Sequence, residues 1–320
     1  MENEKREKII LDCDPGMDDS AAIIMAAKSS RIELLAVTTV SGNYPVEVTS
    51  ENALKVLEML KIDRIPVAAG MAHPMTRPRP RDPFTHGRDG QAENNLPAPS
   101  LKLCGEHAVD LIIKTVLENP NEVTIVCTGP LSNVGMAIAK APEIIPLIKR
   151  IVAISGMFGL NESAYLNATG DTPQSEWNVY VDPEAADIVY RSGTDFYAIG
   201  LDVATNSSVD FTPEDLEAFH TSTRPEAVFL DQAIRFTHNR GFDAYCAVID
   251  CMAVSFVIDP TLAEWKKFHV GVETKDGLTL GMTIRDGRHH FVWEDLPLIN
   301  VAVTADYTRT LKLIRDLILQ

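Results

Sequence analysis

The sequence predicts an α/β fold with an open, Rossmann-like and mainly parallel central sheet, helices on both faces, and a C-terminal strand and helix extension. In the first half, short apolar runs alternate with segments of helical periodicity, as in βαβ units. Polar side chains follow three of these runs, where the carboxyl ends of parallel strands form one crevice. No internal repeat or low-complexity linker divides the 320 residues, so we expect residues 1–320 to form a single domain.

The hydrophobic pattern predicts each element in turn. Strands are expected over 8–13, 33–40, 66–69, 123–128, 151–155 and 196–201. Helices are expected over 18–29, 46–60, 105–118, 131–140, 183–191, 213–220, 226–239, 244–257 and 307–319. The tail, 270–303, reads as strands with turns at Lys275-Asp276-Gly277 and Asp286-Gly287. Two long polar loops, 70–100 and 156–176, are typical of functional segments, although the Arg/Pro run at 77–83 is expected to be a solvated loop.

The composition indicates which partners and which cellular environment to expect. With 45 acidic against 29 basic residues, the net charge is -16, which argues against nucleic acid as a partner. The five cysteines lack CxxC spacing and are expected to be reduced thiols of a cytoplasmic protein. Residues 1–8 form a charged segment rather than a signal peptide, and no apolar run could span a bilayer, so no membrane partner is expected.

Carboxylates concentrate where the first strand ends. Asp12 and Asp14 share one face of the strand end, and Asp18 and Asp19 fall in the first turn of the next helix. An aspartate before an Asp-capped helix can be ordinary structure. Four acids within eight positions repel one another, however, so we expect a hard cation, Ca²⁺ or Mg²⁺, to neutralise them.

Motifs along nearly the whole chain resemble the inosine-uridine preferring nucleoside hydrolase family, enzymes that cleave the N-glycosidic bond of ribonucleosides. The similar segments follow in order from about residue 8 to 315. They are 12–19, 38–43, 86–87, 128–133, 176–186 and 278–283. The resemblance implies a single nucleoside-hydrolase-like domain, a small ribonucleoside as the partner, and a homodimer or homotetramer.

The resemblance also implies a calcium site. Asp14, Asp19 and Asp250 would coordinate Ca²⁺ together with the main-chain carbonyl of Thr128, and Asp12 would support the cluster. Asp14 would also be the general base that takes a proton from the metal-bound water.

The family pattern assigns the substrate contacts to a second set of residues. Asp18 and Asn43 would bind ribose hydroxyls, and Glu176 and Asn178 would hold the sugar near its 5′-hydroxyl. His86 matches a position near the nucleobase. Trp177 stands in place of the usual Phe, so it either packs beside the 5′ side of the ribose or belongs to the core. Carboxylates around C1′ would stabilise an oxocarbenium-like transition state.

The sequence departs from the family on the nucleobase side. Ile249 precedes Asp250, where broad-specificity members carry a histidine that protonates the departing base. His238 and His86 are candidates to replace that histidine, and stacking on an aromatic or a leaving group that needs little help is the alternative. In the 166–173 loop, Asn167, Gly170 and Asp171 compete for the place of an asparagine that contacts the sugar.

Three functions fit these residues. Calcium-dependent hydrolysis of ribonucleosides to base and ribose is the first. A calcium-dependent nucleoside- or ribose-binding protein with little turnover is the second, because Ile249 cannot donate a proton. A haloacid-dehalogenase-type phosphatase also begins with Asp-x-Asp, but Gly16 stands where that class has Thr or Val, and Asp18 and Asp19 would have no role.

Overall fold

The computed structural model describes residues 6–81, 85–206 and 208–320, with the backbone alone of Ser163. Within them, nine strands form one sheet. They are β1 Glu7–Cys13, β2 Ile32–Thr39, β3 Val67–Ala69, β4 Val123–Cys127, β5 Arg150–Ile154, β6 Phe196–Ile199, β7 Ala263–Val272, β8 Thr283–Asp286 and β9 Leu298–Ala305. Their order across the sheet is β3-β2-β1-β4-β5-β6-β9-β7-β8. The pairs from β3 to β9 are parallel, and β7 is antiparallel to β9 and β8. The predicted mainly parallel sheet is confirmed.

Helices cover both faces of the sheet, as predicted. They are α1 Met17–Lys28, α2 Val46–Met59, α3 Ala108–Glu118, α4 Ser132–Lys140, α5 Ser163–Leu166, α6 Trp177–Val181, α7 Pro183–Arg191, α8 Leu201–Ala204, α9 Pro213–Thr221, α10 Pro225–Asn239, α11 Cys251–Ile258 and α12 Tyr307–Leu319. Apolar side chains of α1, α2, α10, α11 and α12 build one buried core, and those of α3, α4 and α7 build the other.

The strand β1 lies in the middle of this arrangement. Ile9 and Leu11 pack into one core and Ile10 into the other, because successive side chains of a strand point to opposite faces. The chain then adds β2 on one side of β1 and β4 on the other. Such a reversal of strand order opens a crevice at the carboxyl ends of the strands. Residues 12–19 lie at this crevice because they include the end of β1, the turn after it and the start of α1.

The largest difference from the sequence prediction lies between residues 244 and 257. Instead of one helix, a 3-10 helix at Ala244–Ala247 is followed by a turn, and α11 begins after Asp250. Val248 leaves helical geometry, with φ -140° and ψ 10°. A continuously apolar run carries no signal for such a break. The break matters because it frees Asp250 from a helix interior.

The other predicted elements lie within three residues of those observed up to residue 239. The sequence did not predict the short helices α5, α6 and α8, nor the 3-10 helices at Pro142–Leu147 and Pro260–Leu262. In the tail, β7 starts at Ala263, seven positions before the predicted strands. The closing helix α12 occupies the predicted residues. Short helices escape prediction because one turn leaves too little periodicity to detect.

Contacts across the chain hold the first of the two long loops. Arg77 pairs with Glu184 and Asp276 and donates to the Thr274 carbonyl at 3.1 Å, so it is not the solvated side chain expected from the Arg/Pro run. Residues 82 and 83 of that run, and residues 1–5 of the charged N-terminal segment, lie outside the described residues.

All five cysteines are free thiols. Among the described residues, no helix is long and apolar enough to cross a membrane.

Candidate active site

A cavity of about 450 Å³ opens at the carboxyl ends of the central strands. Its lining residues come from segments far apart in sequence. They are Met17, Asp18, Asn43, Thr85, His86, Thr128, Ile154, 166–169, Glu176, Trp177, Asn178, Leu201, Thr237, 240–243, Tyr245, Cys246, Ile249 and Asp250. The polar loops predicted to be functional thus contribute directly to one cavity.

Three carboxylates converge at this cavity. Asp18, Asp19 and Asp250 each place a carboxylate oxygen within 4.8 Å of the other two, and all three side chains are buried. Asp19 and Asp250 were predicted as metal ligands and Asp18 as a ribose ligand. Asp14, predicted to be a ligand, is not part of this group of three. Its Oδ2 accepts a hydrogen bond from the Asn43 backbone N–H at 2.7 Å, which holds the carboxylate toward β2.

Asp14 and Asp19 are fixed by the backbone around them. Asp19 Oδ1 accepts from the Thr128 hydroxyl at 2.7 Å and from the Asp14 N–H at 3.2 Å, and its Oδ2 accepts from the Gly16 N–H at 3.0 Å. Gly42 must be a glycine, because a Cβ there would lie 2.1 Å from Asp14 Oδ2. These positions are therefore set before any ligand binds.

Burial has a strong electrostatic effect on the cluster. It raises the pKa values of Asp14 and Asp250 well above the usual range, and neighbouring carboxylates raise them further. Burial raises the pKa of Asp18 to about 6, although His86 opposes this, and raises that of Asp12 to about 7 despite hydrogen bonds from Thr38 and Asn133. The aspartates of the cluster would therefore all ionise together only if a positive charge were bound among them.

Unpartnered oxygens show where a cation fits. Asp12 Oδ2, Asp14 Oδ1 and Asp18 Oδ1 are buried without a hydrogen-bond partner in the described part of the chain. Buried carboxylate oxygens are rarely left in this state. A hard divalent cation takes several carboxylate and carbonyl oxygens. The donor set around Asp18, Asp19 and Asp250 fits such an ion.

Asp12 lies beneath the cavity and does not line it. Its Oδ1 accepts from Thr38 Oγ1 at 2.6 Å and from Asn133 Nδ2 at 2.8 Å. Asn133 also donates to the Thr39 carbonyl, so it ties β1 to β2. A supporting role for Asp12 stays a prediction. Nothing in the sequence singles out Asn133, which lies 121 positions away from Asp12.

A second group of lining residues comes from the start of α6. Glu176 caps this helix by accepting from the N–H groups of Asn178 at 2.7 Å and Val179 at 3.1 Å, and it also accepts from Gly156 N–H at 3.1 Å. Burial raises the pKa of Glu176 to about 7 against these three donors. Asn178 Nδ2 donates to the carbonyls of Thr128 at 2.8 Å and Ile154 at 3.1 Å. A carbonyl has two lone pairs, so Thr128 can still accept a second partner.

Trp177 contributes to the same wall. Trp177 lines the cavity and is 8% exposed, and its ring lies 6.2 Å from that of Tyr180 with an angle of 29° between the ring planes. Its Nε1 is buried without a hydrogen-bond partner among the described residues. The side chain therefore belongs to the cavity wall and is also largely buried, and its contact with the ribose stays a prediction.

The part of the wall around His86, which was predicted to lie near the nucleobase, differs in composition from the acidic cluster. His86 lines the cavity, and its Nδ1 lies 3.5 Å from Asp18 Oδ1 and accepts weakly from the Met17 N–H at 3.4 Å. Ile249 also lines the cavity, with Tyr245 nearby in the wall. His238 is exposed and is not among the lining residues, although the preceding Thr237 is. One residue turns a helix by about 100°, which carries His238 away from the cavity.

Of the three candidates in the 166–173 loop, Asn167 lines the cavity, whereas Gly170 and Asp171 do not. Asn167 Nδ2 donates to the Thr205 carbonyl at 3.1 Å.

Arg240 and Tyr245 also line the cavity, but they could not be recognised from the sequence because they belong to no motif. Their only sequence signal is their position shortly before Asp250.

Comparison with known proteins agrees with the fold and the site. The model of the inosine-uridine preferring nucleoside hydrolase family matches residues 9–312. A probable uridine nucleosidase 1 of Oryza sativa subsp. japonica is 35% identical over 98% of this chain and 97% of its own length. An inosine-uridine preferring nucleoside hydrolase of Leishmania major is 36% identical over 88% of each chain. The solved structure of a plant nucleoside hydrolase superposes with a TM-score of 0.86 at 30% identity, covering 98% of both chains.

The fold, the acidic cavity and these comparisons together place the protein among hydrolases that act on N-glycosidic bonds, a metal-dependent class, and the cluster of Asp18, Asp19 and Asp250 fits a metal ion. The chain belongs to the inosine-uridine preferring nucleoside hydrolase family. Its substrates are ribonucleosides. The resemblance noted in the sequence is thereby confirmed, and the phosphatase interpretation is excluded.

Proposed function

We propose that this protein hydrolyses ribonucleosides to free base and ribose in a calcium-dependent reaction. One observation carries the proposal: Asp18, Asp19 and Asp250 converge, with unpartnered oxygens on Asp14 and Asp18, at a cavity whose wall also presents Glu176 and Asn178. A group of acids beside a capped carboxylate and an amide suits a polyhydroxylated, cation-forming substrate. The fit is to a pentose whose C1′ becomes positive as the base departs.

Calcium would be held by Asp14, Asp19, Asp250 and the free lone pair of the Thr128 carbonyl. When bound, the ion supplies positive charge that lowers the pKa of water and orients a cis-diol. Asp14 has an unpartnered Oδ1, so it can accept the proton of the attacking water. The water oxygen forms the new bond to C1′ as the bond from C1′ to the base nitrogen breaks.

The remaining polar residues orient the sugar. Asp18 and Asn43 hold the 2′- and 3′-hydroxyls, and Glu176 and Asn178 hold the 5′ side, with Trp177 packed against it. Since the 2′-hydroxyl pairs with buried polar groups, a 2′-deoxyribonucleoside would leave these groups unpaired and react more slowly.

Departure of the base requires a different device from the family histidine, because Ile249 faces the cavity. We assign this role to His86, which lines the cavity and is 6% exposed. His238 is too exposed and too far around α10 to take part. The relatives named above are described as acting on uridine or on inosine and uridine, so both a pyrimidine and a purine substrate are to be tested.

The second candidate is a calcium-dependent nucleoside- or ribose-binding protein. Ile249 in the cavity wall is the observation that favours it, because this side chain cannot protonate a leaving base. A nucleoside would then bind without release of sugar.

A panel of purine, pyrimidine and nicotinamide ribosides, assayed for reducing sugar with and without a calcium chelator, separates the two. Hydrolysis that disappears with chelator and returns with added Ca²⁺ supports the proposal. Calorimetric binding without sugar release from any riboside establishes the binding protein, and hydrolysis that survives complete chelation contradicts calcium dependence.

The same proposal extends to the protein as a whole. We infer a single nucleoside-hydrolase-like domain over 1–320, a cytoplasmic location and a homo-oligomeric state. The strands of the first and last parts of the chain share one sheet, and the cysteines are free, which supports the first two inferences.

A further inference from the structure

Residues 86–95, which we call the His86 loop, contain no helix or strand and yet carry several buried residues. His86 is 6% exposed, Gln91 1% and Ala92 0%. The Ala92 N–H donates to the His86 carbonyl at 2.8 Å, so the loop folds back on itself. Most loops run over the surface of a protein, where water satisfies their polar groups. The buried polar groups of this loop must instead find their partners inside the protein.

The backbone of the His86 loop is strained. Ala92 and Glu93 both have a φ of 58°, in the left-handed region that residues with a Cβ rarely adopt. The Asp89 carboxylate stabilises this shape, because it accepts from the N–H groups of Gln91 at 2.8 Å and of Glu93 and Asn95 at 2.9 Å. Strained backbone persists only where the surroundings hold it in place. Contacts with neighbouring elements must therefore fix the loop.

Asn52 on α2 connects the His86 loop to the acidic segment 14–19. Its side chain is 0% exposed, and its Nδ2 donates to the Pro15 carbonyl at 3.1 Å and to the Asp89 carbonyl at 3.2 Å. A side-chain amide nitrogen carries two hydrogens, so these two carbonyls use both donors of Asn52. One buried amide thus sets the spacing between the acidic segment and the loop.

Gln91 provides a second connection between the same segments. Its Nε2 donates to Ser20 Oγ at 3.0 Å and to the Asn52 carbonyl at 3.4 Å, and Ser20 Oγ in turn donates to the Gly16 carbonyl at 2.5 Å. Gly90 leaves room for this arrangement, since its φ is 74° and a Cβ there would lie 2.8 Å from Asn52 Nδ2. Both amides therefore tie the loop to the start of α1.

These connections determine where the His86 imidazole lies. Its Nδ1 lies 3.5 Å from Asp18 Oδ1 and accepts from the Met17 N–H at 3.4 Å. A Cβ on Gly16 would lie 2.6 Å from the same Nδ1, so the ring is in close contact with this part of the backbone. Both polar contacts are long for hydrogen bonds and hold the ring only weakly. The rigidity of the ring position must come from the loop that carries it.

We propose that Asn52 is a positioning residue that fixes the His86 imidazole against residues 16–18, with Gln91 as its support. Asn52 is not among the described residues that line the cavity, so it acts through His86 and not by contact with the substrate. The consequence for catalysis rests on the proposed role of His86 in departure of the base. A displacement of about 1 Å in the active site can lower a rate about 10²-fold.

Asn52→Leu in the full-length protein tests the proposal, because leucine has the same branching and number of heavy side-chain atoms but lacks both donors. We expect kcat for natural ribosides to fall about 10-fold, part of the loss that such a displacement can cause. Hydrolysis of a p-nitrophenyl riboside should change little, since its leaving group needs no proton. The double variant Asn52→Leu, His86→Ala should lose no more than His86→Ala alone, because the amide then has no imidazole to position.

Thr49→Val is the matched control on the same helix. Thr49 is also buried, and its Oγ1 donates to the Val40 and Val46 carbonyls at 3.0 and 3.1 Å, neither of which belongs to the His86 loop. This variant should leave the ratio of the two hydrolysis rates unchanged. Gln91→Met breaks the second connection, should change the ratio in the same direction as Asn52→Leu, and decides the question if Asn52→Leu does not fold. Far-UV circular dichroism checks the folding of each variant.

NMR of protein with ¹⁵N-labelled histidine gives a readout that does not depend on turnover. The His86 signals, assigned by their absence in His86→Ala, should shift in Asn52→Leu and stay in place in Thr49→Val. Equal losses for both substrates, additive losses in the double variant, or unmoved His86 signals would each overturn the proposal.

The proposed role of His86 can fail separately. If the wild type hydrolyses no riboside, or if His86→Ala keeps the wild-type rate on natural ribosides, the imidazole has no part in departure of the base. The NMR comparison then decides alone: shifted His86 signals in Asn52→Leu establish the positioning, and unmoved signals overturn it.

Discussion

At the proposed metal and ribose end of the cavity, the polar side chains are held by backbone groups before a ligand arrives, whereas parts of the remaining wall are apolar and exposed. Asp19 and Glu176 each accept two or more hydrogen bonds with a backbone N–H among the donors. In the remaining wall, Leu166 is 86% exposed and Phe242 is 48% exposed. Tight positioning suits groups that must meet C1′, and a looser wall suits bases of different size.

Asp14→Asn tests the rigid end and should have the largest effect. The amide keeps the size of the carboxylate but cannot accept the proton of the attacking water. We expect kcat to fall by about 10³-fold or more. Because burial raises the pKa of Asp14, removal of its charge should not destabilise the fold.

Steady-state hydrolysis of the best riboside measures the loss, and chemical unfolding checks stability. Asp110→Asn, on exposed α3 surface, serves as the control and should retain wild-type activity. Full activity in Asp14→Asn would remove this residue from the mechanism.

His86→Ala tests the nucleobase end. If the imidazole assists the departing base, kcat should fall about 10²-fold for natural ribosides. A p-nitrophenyl riboside has a leaving group that needs no proton, so its hydrolysis should change little. His238→Ala is the matched control, since that side chain is exposed and lies outside the cavity. Equal losses for both kinds of substrate would show that His86 only shapes the site.

The two ends also differ in how much the sequence could predict. Four of the acids, Asp12, Asp14, Asp18 and Asp19, lie within eight positions of one another. A strand followed by a turn places such residues at one edge of the sheet. The location of Asp250 beside them depends on a break in an apolar segment, and hydrophobic periodicity predicted an unbroken helix there.

Partners distant in sequence were beyond prediction for a different reason. Asn133 reaches Asp12 across 121 positions, and Asn178 reaches the Thr128 carbonyl across 50. Periodicity describes which face of an element is buried, but it contains no information on which polar side chains meet across the sheet. For the same reason, the sequence could not predict that Tyr245 lines the cavity.

The pKa of Glu176 gives a pH test of the rigid end. The folded value of about 7 exceeds the ordinary 4.5, so the native state binds the proton more tightly. The resulting stability is complete below about pH 4.5 and is lost as the pH rises through 7, by at most about 3 kcal/mol. Glu176→Gln cannot ionise. The free energy of unfolding of the wild type should fall over this range, whereas that of Glu176→Gln should not. We therefore expect the difference, Glu176→Gln minus wild type, to rise by about 2 kcal/mol from pH 4.5 to pH 8.

Urea unfolding of both proteins with chelator present, across this pH range, measures the difference. The comparison cancels the titration of the aspartates, which both proteins share. A constant difference between the two proteins would mean that the three backbone N–H donors keep Glu176 ionised throughout.

Thr128→Val sharpens the comparison further, because it alters the support of the metal end without removing a ligand. The valine keeps the backbone carbonyl and nearly the same volume, but it loses the hydroxyl that donates to Asp19 Oδ1 at 2.7 Å. Loss of a group that orients a metal ligand typically lowers metal affinity by about 10- to 100-fold. We therefore expect the calcium concentration for half-maximal activity to rise about 10-fold, with kcat at saturating calcium nearly unchanged. Calorimetric titration of the metal-free protein provides a readout that does not depend on turnover. If calcium affinity is unchanged while kcat falls, the hydroxyl acts on the substrate and not through Asp19, and the rigidity of this end does not depend on Thr128.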